Sequence, residues 1–308
     1  MHKSGAGAVF DALCLFEPLI ITWALAIGEQ RSKKRAAGPD QILGGDLTLQ
    51  TCEPPAYPAM APFKVADYQL SADYPPDKES SWHYPAEKDG WCAVHKALKG
   101  EIALLAEAFA AVKSRGRGLV DWEIKCIQTA FAGHFQHVSW HHHDEDDSFV
   151  PFMKQRVKYP DKLEADHPKI EAQCQIVKQA IEGLTEGDSL DELIVEWKKY
   201  GEMIGTHMDE EEATALLLLR AYFKPEDLKP VVEYIMQNGP KIEMGSCIYF
   251  MGVETFRKEF MAQEKIPSFV WYIDFQFRLA EFEKRVIRNV EALKLGEEPS
   301  EGPSCIIS

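Results

Sequence analysis

His141-His142-His143-Asp144-Glu145 is the stretch on which the reading of this chain turns. Three consecutive imidazoles and two acidic residues stand inside a segment whose apolar residues recur at steps of three and four. The series runs Ile124, Ile127, Phe131, His134, Val138, His141, Glu145, Ser148 and Phe152, which is the period of an amphipathic helix. Extending it from Ile124 selects His141 among the three histidines and Glu145 one turn later. His142 and His143 fall off the stripe. A spacing of four sets His141 and Glu145 on one face of a helix.

Three further segments have the same period. One runs Trp91, His95, Leu98, Ile102, Leu105, Phe109, Val112. Another runs Leu163, His167, Ile170, Cys174, Val177, Ile181, Leu184. The last runs Leu193, Trp197, Tyr200, Ile204, His207, Glu211, Thr214, Leu218. The same rule picks Glu211 over Glu210 and Glu212. Breakers at Arg115–Gly118, Tyr159–Asp161 and Glu186–Ser189 are short enough to join antiparallel neighbours. The expected fold is all-α: an up-down-up-down four-helix bundle, with additional C-terminal helices and an irregular N-terminal extension.

The expected division is 1–88 for an N-terminal apolar segment and Pro-rich linker, and 89–222 for the bundle. Residues 223–299 form a helical extension packed on it, with helices expected over Pro230–Asn238, Ser246–Gln263 and Phe269–Leu295. The tail is 300–308.

Polar residues at core positions are the anomaly, because a buried Glu or His without a partner is costly. Each bundle stripe carries His, and two add Glu one turn on. Four imidazoles (His95, His141, His167, His207) and two carboxylates (Glu145, Glu211) converging in one core suit a pair of first-row metal ions. Carboxylates bridge two ions and offset their charge. His134, also on a stripe, reads as a hydrogen-bonded core residue, and His137 and His83 receive no role. The acidic run Asp144–Asp147 otherwise reads as a solvated face.

The segments Val94–Leu98, His141–Glu145 followed by Phe149–Phe152, Glu164–His167 and His207–Glu211 resemble hemerythrin-like (HHE cation-binding) domains over about residues 85 to 225. The resemblance implies a non-haem di-iron site, with zinc or manganese as lesser alternatives. His95, His141, His167 and His207 would be terminal ligands and Glu145 and Glu211 the bridges. It implies a protein that binds O₂ or another small ligand, or senses iron or oxygen. The alternatives are a di-iron oxidoreductase using O₂ or peroxide, and a metal-stabilised interaction scaffold. Oxygen-carrying relatives have a second His one turn after the third-helix ligand, where this chain has Glu171. That position either ligates, sits behind the ligands, or leaves one iron open to water. Pro168, directly after His167, predicts that the third helix starts near Asp166 or kinks there.

Elsewhere the chain excludes more than it asserts. A net charge of −15 over 308 residues, with no Lys/Arg stripe, argues against a nucleic-acid partner. Seven scattered cysteines without a CxxC pair are neither a disulfide framework nor a Cys-ligated zinc site and fit a reducing compartment. There is no P-loop, GxGxxG or GxSxG. Residues Ala8 to Ile27 are mostly apolar but interrupted by Asp11, Glu17 and Pro18, and read as a packed helix in preference to a signal or membrane anchor. The final Cys305-Ile306-Ile307-Ser308 has the pattern of a prenylation signal. A cytoplasmic protein, weakly membrane-associated through Cys305, is the expected localisation.

Overall fold

The computed structural model describes residues 63–77 and 81–299. The apolar N-terminal segment, Cys305 and the first part of the Pro-rich linker lie outside the described residues. Four long helices dominate: α1 (Gly90–Lys113), α2 (Asp121–Asp144), α3 (Asp161–Glu182) and α4 (Asp191–Ala213). Each packs on its successor, and α4 closes the ring on α1. His95 near the start of α1 and His141 near the end of α2 meet His167 near the start of α3 and His207 near the end of α4. Successive helices therefore alternate in direction. Among the described residues there are no strands, only one isolated bridge between Gln69 and Val157.

Local chemistry sets the helix ends. The Asp89 carboxylate accepts from Trp91 N–H at 3.1 Å and caps α1. The Glu123 carboxylate accepts from Val120 N–H at 3.2 Å at the start of α2. α3 does not start near Asp166. It begins at Asp161 and continues through Pro168, whose ring lies on the exposed face. The hydrogen bond that Pro168 forfeits thus falls on the water side, while His167 keeps its buried position.

α2 departs from the uniform stripe at Glu145. Residues Glu145–Phe149 form a π turn in which Val150 N–H bonds to Glu145 C=O, five residues back, before a last turn Val150–Met153. The extra residue moves the inward face on, so Val150 and Met153 are buried where the stripe predicts Ser148 and Phe152. The fourth helix is also interrupted. Thr214 leaves helical geometry and α5 (Ala215–Tyr222) follows it, while Thr214 and Leu218 of the stripe stay buried.

The interior divides into layers. A large cluster built around Leu105, Phe109, Ile127, Trp197 and Ile204 fills the bundle below the histidines. A second, with Trp91, Val150, Met153, Leu216 and Leu219, closes the end above them. Each fully buried Leu, Ile or Phe in such layers contributes about 1.5–3 kcal/mol. The linker residues 63–77 and 81–88 cover that end, with Lys158 N–H donating to Tyr68 C=O at 2.8 Å and Trp82 Nε1–H to Phe223 C=O at 3.1 Å.

Beyond α5 come α6 (Pro225–Asn238) and α7 (Lys241–Met251). The second helix of this extension stops at Gly252, which has φ +87, so Ser246–Gln263 is not continuous. α8 (Gln276–Phe282) and α9 (Arg288–Leu295) follow, joined by a π turn over Glu283–Ile287. α7 and α9 lie on α1 and α2. Glycines permit the approach: Gly133 of α2 faces Val286 and Ile242, and Gly245 of α7 lies against the Arg278 carbonyl, where a Cβ would come within 2.1 Å. Gly245→Ala should therefore destabilise by about 1–3 kcal/mol in denaturant unfolding. A neutral result would mean that α7 and α8 separate freely.

Candidate metal centre

The six side chains singled out by the stripes converge in one layer, all buried. His95 and Glu211 are essentially without exposure. Their donor atoms form two overlapping groups, one of His95, His141, Glu145 and Glu211, the other of His167, His207, Glu145 and Glu211. The carboxylates are common to both and lie between them. Glu145 Oε1 is 3.5 Å from His141 Nε2 and 4.0 Å from His95 Nε2, while Oε2 is 3.5 Å from His167 Nε2. Glu211 Oε2 is 3.4 Å from His95 Nε2, and Oε1 is 3.3 Å from His207 Nε2. His167 Nε2 and His207 Nε2 are 3.0 Å apart.

This geometry fits a metal pair. Two donors, each about 2.1 Å from one ion and at right angles, lie about 3 Å apart, which is close to the spacing found. Both oxygens of Glu145 and of Glu211, and Nε2 of His95 and His141, are buried without a hydrogen-bond partner. Native interiors rarely leave so many acceptors together unsatisfied. A cation between them would satisfy the set.

Neighbouring carboxylates orient two of the rings. Glu212 Oε1 is 3.0 Å from His95 Nδ1, and Asp146 Oδ1 is 2.8 Å from His167 Nδ1. Each turns Nε2 inward, as a carboxylate behind a ligating imidazole does. The stripes point to neither: periodicity selects Glu211 over the adjacent Glu212, and Asp146 lies in a run that reads as a solvated face. Their adjacency to inward residues was the available signal.

Electrostatics follows from burial opposed by pairing. Burial disfavours a charged His95, but Glu145, Glu211 and Glu212 outweigh it and raise the imidazole to about 10. Burial likewise opposes His167, which Glu211, Glu145 and Asp146 raise to about 9. Glu145 is pushed up by burial and by the Glu211 charge. Glu211 is also penalised by burial, yet His167, His207 and His95 hold it well below the usual carboxylate range.

Three residues alter the picture drawn from periodicity. Glu171 is exposed, so it neither joins the cluster nor stands behind it. His142, off the stripe, nonetheless has Nε2 buried and unpartnered beside His167. Tyr159, from the loop after α2, is 5% exposed with an unpartnered hydroxyl. Burial, with the Glu211 and Glu145 charges next, pushes its pKa well above 10.

One layer deeper lies a second buried polar group. The Glu101 carboxylate meets His134 Nδ1 and His137 Nδ1, each at 2.7 Å, and His134 Nε2 is 2.9 Å from the Tyr200 hydroxyl. His134 is thus a hydrogen-bonded core residue, as its position predicts. His137, given no role, belongs to the same cluster.

Residues 89–219 match the family model described as hemerythrin HHE cation binding domain. No curated protein and no solved structure matches the chain.

Proposed function

We propose, from the premise that a hemerythrin HHE cation-binding domain occupies residues 89–219, that this protein holds two iron ions and takes O₂ or a comparable small ligand there. The observation that carries the reading is the placement of Glu145 and Glu211, each with one oxygen toward the His95–His141 side and one toward His167. Bound iron would supply a Lewis-acidic, redox-active centre. The chain's own residues hold the imidazoles in position, spread the negative charge between two cation sites, and exclude bulk water. The apolar layers above and below do the excluding.

Anaerobic loading with ferrous iron should give about two ions per chain. Admission of air should then produce a new near-ultraviolet and visible band. Tight zinc retention with no such band would overturn the iron and O₂ reading.

Ligation needs neutral imidazoles, so loading displaces the protons held on His95 and His167. Both groups are raised in the metal-free protein. Apparent affinity should therefore climb with pH through the neutral range and level off near 9 to 10. Each displaced proton contributes about tenfold per pH unit. Competition titrations with Zn²⁺, a redox-silent probe, against a chelator of known pH response would measure this slope. A flat profile between pH 6.5 and 8.5 would contradict it.

A further inference from the structure

His142 is the buried donor that the six-residue set leaves over. Its ring lies 4.7 Å from His167 with an interplanar angle of 17°, and 6.1 Å from His207 at 84°. The ligating atoms of His142, His167 and His207 lie within 4.8 Å of one another, and His142 Nε2 is buried without a partner. Consecutive helical residues diverge by roughly 100°. His141 and His142 therefore cannot reach one point, but they can reach two adjacent ones. The first faces His95, its ring 5.2 Å away, and the second faces the His167–His207 pair.

We propose that His142 is the third imidazole on the ion held by His167 and His207, taking the place that the exposed Glu171 does not fill. The proposal rests on the two-ion reading above. It makes the pair unequal. One side has three imidazoles and two carboxylate oxygens, the other two imidazoles, His95 and His141, and two carboxylate oxygens.

The full-length chain, His142→Phe and Glu171→Ala would be loaded with ferrous iron under anaerobic conditions and challenged with a chelator. Phenylalanine keeps a flat ring against His167 but offers no donor. His142→Gln serves as a second variant should the first fail to fold, with the metal-free melting temperature as the control. Iron per chain and the Mössbauer spectrum are the readouts. The wild-type chain should retain two ions with unequal quadrupole doublets, and Glu171→Ala should match it. The His142 variants should lose one ion about ten times more readily or worse, approaching one per chain. A variant that keeps two ions with wild-type affinity and an unchanged spectrum would show His142 to be a stacked core residue and overturn the proposal. A wild-type chain that never takes up two ions overturns the two-ion reading, and this proposal with it.

Discussion

Glu211→Ala should abolish loading of both ions, whereas His95→Ala should cost only one. Glu211 Oε2 is 3.4 Å from His95 Nε2, and Oε1 lies 3.3 and 3.9 Å from His207 and His167. Truncation thus removes a donor from each side at once. It also removes half of the negative charge that two divalent cations need between them, since Glu145 would be the remaining shared carboxylate. His95 contributes its Nε2 to one side only. Metal analysis after anaerobic loading and desalting should find close to none for Glu211→Ala and close to one for His95→Ala. Glu211→Gln, which keeps the shape with a single oxygen, should fall between. Two ions retained by Glu211→Ala would remove the shared-carboxylate geometry from consideration.

The second large effect is on folding. Glu101→Ala should destabilise the metal-free protein by about 3–5 kcal/mol, because removing one partner leaves buried charge uncompensated. For a domain of this size that is roughly 6–20 °C in Tm. Glu101 is fully buried, and burial opposes its charge. His137 and His134 more than offset this and hold it at about 2. Its contribution is present above the unfolded carboxylate value of about 4.3, and disappears as pH falls toward 2. Burial opposes a charged His137, yet Glu101 raises it. That contribution is complete below the unfolded imidazole value of about 6.5 and fades as pH rises through the higher folded value. Wild type and variant should therefore differ most between about pH 4.3 and 6.5. Thermal melts across pH 3 to 8 would test this, and a difference that does not vary with pH would place the charge elsewhere.

The stripes carried a good deal. They placed four helices, chose His141 and Glu145 from a run of five polar residues, and brought six donors into one layer. What they hid has identifiable causes. A stripe is a single line of sight, and His142 lies one residue's arc away from it, so periodicity excludes His142 with the exposed His143 although its Nε2 is buried. Glu101 stands three residues after Leu98 and four before Leu105. It fits the first stripe as well as its neighbours do, and only its charge kept it out. The π turn has no sequence mark at all, since counting by 3.6 presumes the ladder it interrupts. The seat of Gly245 against Arg278 depends on two segments 33 residues apart in the chain, beyond the reach of local period.

That wider turn at Glu145 also bears on how this helix tolerates changes in length. A turn closed over five residues is what a straight helix becomes when one residue is added. A chain shorter by one between Glu145 and Val150 would return to a continuous ladder and still point Val150 and Met153 inward. The same deletion between His141 and Glu145 would swing Glu145 by roughly 100° and break the layer. Insertions and deletions in this helix are therefore tolerated unequally: there is slack just past the carboxylate and none before it.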